Sequence, residues 1–184
     1  WFHPVPDGKT VRVDLGTPRG LGGGLAATSD GFLALLHDGA RFRAARFVRD
    51  RDSWRRADLS GEHVSHLDAI AVSRDGGTIA YAHSTAVLPL QWHAARLDGA
   101  KVREPRRLTD LNEAFDGKPM GRAEVVRWTG ANDEEVEGIL HYPLSFEEGK
   151  KYPLVLDIHG GPAGSDPDAW SQSWTSPIML WRQR

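Results

Sequence analysis

The chemistry-bearing pattern of this chain lies in residues 151–164, where a short apolar run, Tyr152-Pro-Leu-Val-Leu-Asp-Ile158, breaks into a His159-Gly160-Gly161-Pro162 turn. A turn of this kind at the end of a strand can aim a main-chain N–H at an oxygen that becomes negative during acyl transfer. Without a Cβ, the backbone at Gly160 and Gly161 can take unusual dihedrals and come close to a substrate oxygen. A nucleophile does not accompany the turn. No serine of the chain has glycine on both sides at the two-residue spacing of a nucleophile elbow, Ser165 having Ala163 and Pro167 instead. Asp157 and Asp166 flank the turn and are expected to be structural. His159 could be a zinc ligand or a plain loop histidine; no second histidine or carboxylate stands near it at a metal-ligand spacing, so no metal is expected. His63 and His66, three apart in a turn-rich stretch, read as surface residues. The tryptophans read as packing residues, with Trp170 and Trp174 close enough to the turn to line a pocket.

The bulk composition narrows the field. With 26% charged and 40% hydrophobic residues among 184, the chain has the makeup of a soluble globular protein. The absence of cysteine excludes disulfides, thiolate zinc sites and a cysteine nucleophile, and suits cytoplasm or periplasm equally. A net charge of -2 leaves no electrostatic footprint for nucleic acid or an anionic membrane. Arg41, Arg43, Arg46, Arg49, Arg51, Arg55 and Arg56 are interleaved with Asp38, Asp50, Asp52 and Asp58, which reads as a solvated mixed-charge face. No apolar run approaches a membrane span and no signal-peptide layout opens the chain; a targeting segment would lie upstream of Trp1.

The elements that must position the turn fall into two regions. From Thr10 to Asn112, short apolar runs alternate with Gly- and Asp-containing turns, without a sustained 3.6-residue period. Val11, Val13 and Leu15 alternate as one strand. Phe32 to Leu36 meets the tight-turn pair Asp38-Gly39, and the chain returns through Phe42 to Phe47, a hairpin pattern. Gly31 to His37 and Gly77 to His83 align at an offset of 46 residues, with Trp54-Arg55-Arg56 and Pro105-Arg106-Arg107 late in the two units. That period fits a four-stranded propeller blade, a β-sandwich being the alternative. A polar segment, 109–119, then separates residues 1–117 from 118–184. The second region is expected to hold strands at Glu124 to Trp128, Val136 to Tyr142 and Leu154 to Ile158, the first two as a hairpin. Ser176 before Pro177 predicts a helix over 178–184.

On Val72-Ser-Arg-Asp-Gly-Gly-Thr-Ile-Ala-Tyr81, Arg96-Leu-Asp-Gly99 with Arg107-Leu-Thr109, Glu137-Gly-Ile-Leu-His-Tyr-Pro143 and Tyr152 to Pro162, the chain resembles the prolyl oligopeptidase family of serine peptidases. The resemblance is diffuse before Glu135 and sharp from there to Gly164. It implies an all-β, partial β-propeller (residues 1–117) followed by the N-terminal part of an α/β-hydrolase domain (residues 118–184). It further implies that the Gly161 N–H is one oxyanion-hole donor, with His159, Gly160 and Pro162 shaping the loop. A variant of the family has a tyrosine where His159 stands and donates through its hydroxyl, a role this chain leaves to the main chain. The Ser, Asp and His of a triad are expected outside the chain, the substrate is expected to be a short peptide, and no cofactor is implied. Taken alone, the 184 residues are expected to be inactive and to aggregate. An esterase, or a propeller scaffold with a catalytically dead hydrolase remnant, are the competing readings.

Overall fold

In the computed structural model, the described residues are 10–161, 164–171, 175 and 177–183. Pro162, Trp174 and Ser176 lie outside them. The strands are β1 (Leu21–Thr28), β2 (Gly31–Asp38), β3 (Arg41–Asp50), β4 (Ser53–Asp58), β5 (Leu67–Val72), β6 (Thr78–Thr85), β7 (Leu88–Asp98), β8 (Lys101–Arg107), β9 (Ala123–Thr129) and β10 (Glu135–His141); the one α-helix among the described residues is α1 (Ile178–Trp181). They form two four-stranded antiparallel meanders, β1-β2-β3-β4 and β5-β6-β7-β8, and a separate β9–β10 hairpin.

The period of 46 has a structural counterpart. Gly31 to His37 lies in the second strand of the first meander and Gly77 to His83 runs into the second strand of the other, while Trp54 to Arg56 and Pro105 to Arg107 lie in the fourth strands. Asp38 and Arg41 pair across the β2–β3 turn, with Gly39 at φ 66. In β2, Leu33 and Leu35 point to one side and Ala34 and Leu36 to the other, and all four are at most 1% exposed. Alternation with both faces covered explains this continuous apolar run. Leu33 and Leu35 join Leu67, Ile70, Ile79, Tyr81 and Leu97 in the core between the two meanders. Ala34, Leu36, Ala45 and Phe47 form a second cluster, capped by Val13, Leu15, Phe32 and Trp54.

Several expectations are corrected. The fold is all-β: three separate antiparallel sheets, none closed into a ring, replace a partial β-propeller leading into an α/β-hydrolase domain. Leu154 to Ile158 is not a strand. It has the apolar content of one, but a strand exists by hydrogen-bonding to a neighbour, and among the described residues no strand pairs with it. Leu154, Leu156 and Ile158 are accordingly 79%, 73% and 75% exposed. The helix predicted over 178–184 reduces to the four residues of α1, too short to be stable without packing. Val11 to Leu15 is not a strand either; Val13 and Leu15 serve instead as a lid on the second cluster.

Candidate functional site

The His159-Gly160-Gly161 turn follows the exposed apolar run and lies open to solvent. Gly161 has φ 67, the left-handed region that a side chain strains to enter. Its carbonyl accepts the N–H of Gly164 at 3.3 Å, and the Gly160 carbonyl lies 3.3 Å from His159 Nδ1. Among the described residues no backbone carbonyl receives the Gly161 N–H. Asp157 and Asp166 are exposed.

Two sets of contacts flank the turn. Upstream, the Tyr152 hydroxyl accepts the Glu147 N–H at 2.9 Å and donates to the Ser145 carbonyl at 3.2 Å. Downstream, Asp168 is the meeting point of three segments. Its Oδ2 accepts from Arg41 Nε at 3.1 Å, Arg41 Nη2 at 3.0 Å and His66 Nε2 at 3.1 Å. Its Oδ1 accepts the Ala86 N–H at 3.1 Å, and its own N–H donates to the Ala40 carbonyl at 2.6 Å. The hydrogen bond from His66, joined by those from Ala86 and Arg41, outweighs burial and holds this carboxyl well below the ordinary carboxylate range. Two residues on, the Trp170 N–H donates to Ser84 Oγ at 3.0 Å, and its ring meets Phe115 edge-on at 5.1 Å. The crevice at this junction holds only about 10 Å³ between Arg41, His66 and Asp168, and Trp170, packed on Phe115, does not line it.

Sequence reasoning missed this junction, and one of its features bears on chemistry. Ser65 Oγ lies 2.9 Å from His66 Nδ1, and His66 Nε2 in turn reaches Asp168, a hydroxyl–imidazole–carboxylate relay. The carboxylate of that relay is also paired with the Arg41 guanidinium and the Ala86 N–H, contacts that tie segments of the fold together. The His66 N–H is also spent on the His63 carbonyl at 2.9 Å and cannot stabilise an oxyanion. The arrangement is that of a structural clasp. No local sequence pattern marks it, because His66, Ala86 and Asp168 are brought together only by the fold.

His63 and His66 are not surface residues; their side chains are 19% and 16% exposed. His63 stacks on His83 with centroids 3.9 Å apart, meets His93 edge-on at 4.8 Å, and its Nδ1 lies 3.0 Å from the Tyr81 hydroxyl. His83 Nδ1 donates to the His66 carbonyl at 3.2 Å. Burial first, then the neighbouring histidines, push His83 down to about 4, and burial and His93 lower His63. Burial pushes Tyr81 up to about 12. Stacked rings present faces rather than converging lone pairs, and among the described residues no group of three or more His, Cys, Asp or Glu could hold a metal ion.

Arginines of β3 and β4 pair with interleaved aspartates, Arg43 with Asp38 and Asp58, Arg55 with Asp50 and Arg56 with Asp58, while Arg46 pairs with Asp30 and Arg41 with Asp168. Among the described residues, no helix is long and apolar enough to cross a membrane.

Comparison with known proteins gives local similarity to peptidases. A probable dipeptidyl-peptidase 5 of Aspergillus terreus is 40% identical over 48 residues, covering 26% of this chain and 7% of the relative. The dipeptidyl-peptidase 5 of Schizosaccharomyces pombe is 36% identical over 56 residues, 30% of this chain and 8% of the relative. A probable dipeptidyl-peptidase 5 of Aspergillus clavatus is 46% identical over 58 residues, 31% of this chain and 8% of the relative. The matched stretches thus span less than a tenth of these relatives. No protein-family model matches the chain. A solved structure of an AtxE2 isopeptidase variant aligns with a TM-score of 0.45 at 11% identity, covering 79% of this chain and 28% of that one. The names of the sequence relatives point to a peptidase over short segments of the chain.

Proposed function

We propose that this chain is part of a serine peptidase that hydrolyses short peptides by acyl transfer, and that the Gly161 N–H is one donor to the oxyanion, with His159 and Gly160 shaping the turn that presents it. The observation that carries this reading is the His159-Gly160-Gly161 turn, with Gly161 left-handed and its N–H unclaimed by any described backbone carbonyl, in a chain whose relatives are named dipeptidyl-peptidases. An oxyanion donor acts by meeting charge that develops in the transition state, so its N–H has to be spared from the fold's own hydrogen bonds. That no backbone carbonyl among the described residues takes the Gly161 N–H supports this reading. The turn needs a nucleophile, a base and an orienting carboxylate, and this reading puts all three on residues outside the chain, with the Ser65-His66-Asp168 clasp remaining structural. Residues 1–117 and 118–184 are two units in this reading, parted at the polar segment, and no cofactor takes part.

The test is hydrolysis by the full-length protein of dipeptidyl p-nitroanilides and of matched p-nitrophenyl esters, followed by labelling with a fluorophosphonate and mapping of the labelled serine. The expected result is cleavage of the anilides, blocked by the label, on a serine outside these residues. Cleavage of esters alone would make the protein an esterase. No hydrolysis of either would favour a binding scaffold, and a label on Ser65 would move the nucleophile into this chain.

A further inference from the structure

We propose that residues 60–66 form a pH-operated strap on the second meander: protonation of the stacked His63–His83 pair lifts the strap at His63 while strands β5 to β8 stay paired.

The strap follows β4 and leads into β5. At its first end, the Ser60 N–H donates to the Ala100 carbonyl at 3.0 Å and the Ser60 carbonyl accepts the Val102 N–H at 2.8 Å, which pairs Ser60 with β8. At its last end, the His66 carbonyl accepts His83 Nδ1 and His66 Nε2 reaches Asp168. Between these ends the backbone makes a turn, closed by the His66 N–H on the His63 carbonyl. His63 stands in that turn at φ 68, a conformation that a residue with a Cβ strains to adopt. Its ring offsets the strain: it lies on His83 at 3.9 Å with 13° between the planes, meets His93 edge-on, and places Nδ1 3.0 Å from the Tyr81 hydroxyl. Val64 adds apolar contact with the core between the meanders.

Neutral imidazoles tolerate this stacking, whereas an imidazolium in the stack loses water and two of them at 3.9 Å repel. The groups facing the pair are Glu62 and His66 on the strap, Tyr81 on β6 and His93 on β7, with Asp168 and Arg41 beyond His66. Compensation from them is small. Glu62 Oε1 is 3.7 Å from His63 Nε2, but its side chain is 68% exposed and screened by water. Asp168 is already shared by Arg41 and His66. A proton on His66 tightens its contact with Asp168, so the last residue of the strap stays tied while the middle lifts.

The direction with pH follows from the same burial. Closed, the strap and the neighbouring histidines keep His83 near 4; open, it returns toward about 6.5. The closed form is therefore fully favoured above about pH 6.5 and loses ground as pH falls toward 4. Between pH 7 and pH 5, His83 alone multiplies the open-to-closed ratio by up to about 20. His63, lowered by burial and His93, acts in the same direction.

The experiment uses the full-length protein and reads hydrogen exchange of the His66 N–H, resolved by fragmenting the peptide that carries it and corrected for the intrinsic pH dependence of exchange. The expected result is an opening ratio that rises by about 10- to 20-fold from pH 7 to pH 5, with the N–H groups of β6 and β7 keeping their protection. His83→Asn retains a donor for the His66 carbonyl but takes up no proton, and should cut the rise to about threefold. His63→Asn suits the left-handed turn but lacks the ring, and its His66 N–H should exchange at pH 7 as fast as that of the parent protein at pH 5. No rise with acid, a rise that β6 and β7 share equally, or a rise that survives intact in His83→Asn would overturn the strap.

Discussion

The backbone N–H of Ala40 donates to Glu137 Oε2 at 2.7 Å, joining the β2–β3 turn to strand β10 across 97 residues of sequence. Glu137 Oε1 also accepts Arg127 Nε at 2.6 Å. Burial alone would raise the Glu137 pKa; the Ala40 N–H and Arg127 outweigh it and hold the carboxyl below its ordinary value. Ala40 thus meets Glu137 through its N–H and Asp168 through its carbonyl, and Arg41 at the start of β3 also meets Asp168, so the β2–β3 corner touches two segments beyond the polar break.

Gly39 is required at this corner. It has φ 66, and a Cβ built there would overlap the Glu137 carboxylate. Gly39→Ala should destabilise by about 2–3 kcal/mol in urea titrations, combining the left-handed backbone cost with the displaced hydrogen bond. In a Glu137→Ala background the overlap is gone, and the same substitution should cost only about 1 kcal/mol. Equal costs in both backgrounds would show that Glu137 does not sit over Gly39.

Gly31 and Gly77 occupy equivalent places in the repeat but not equivalent surroundings. A Cβ on Gly31 would overlap the Phe47 carbonyl oxygen, whereas one on Gly77 would have only the Asp75 side chain for company, at 3.7 Å. Gly31→Ala should therefore separate β2 from β3 and lower stability by about 2 kcal/mol or more, while Gly77→Ala is neutral or stabilising by up to about 1 kcal/mol. Thermal melts of the two variants decide it.

The histidine cluster sets an acid limit. His83, near 4 in the folded protein, binds a proton more readily when unfolded, where its pKa returns to about 6.5. Its contribution is complete above about pH 6.5 and is lost as pH falls toward 4, a change of up to about 3 kcal/mol. His63, also lowered, acts in the same direction, and His66, His93, Tyr81 and Glu62 are the titratable groups facing the pair. Asp168 follows a separate window, since its lowered pKa supports the fold above the ordinary carboxylate range and is lost only below about pH 4. Melting temperature should fall from pH 7 to pH 4.5, and His83→Asn, which keeps a donor for the His66 carbonyl, should flatten that slope. An unchanged slope would show that the stacked pair does not control it.

The exposed run Leu154, Val155, Leu156 and Ile158 carries an aggregation prediction. An apolar segment with no paired neighbour is a template for strand addition between chains. The 184 residues expressed alone should elute as oligomers or aggregates in size-exclusion chromatography, and Leu154→Lys with Leu156→Lys should raise the monomer fraction. A monodisperse parent chain would contradict this.

Legibility in the sequence followed the range of the interactions. The β2–β3 and β9–β10 hairpins were visible because alternation and turn residues are local, and the period of 46 located the second and fourth strands of both meanders. Leu154 to Ile158 misled for the opposite reason: its composition is that of a buried strand, but pairing is decided by a neighbour that composition does not reveal. Asp168 was passed over in favour of Asp157 and Asp166, which lie closer to the turn in sequence, since Arg41, His66 and Ala86 come together only when two sheets stack. His63 and His83 look polar in the sequence and are buried by one another.

The most direct test of the central claim is the steady-state kinetics of Gly161→Ala in the full-length protein with a dipeptidyl p-nitroanilide. Among the described residues a Cβ at Gly161 meets nothing within 4 Å, so the substitution acts by straining the φ 67 backbone and the aim of its N–H. Misaiming the donor N–H should lower kcat by about 10- to 100-fold with KM within a few-fold. An unchanged kcat, or a loss confined to KM, would contradict the assignment of Gly161 as the oxyanion donor.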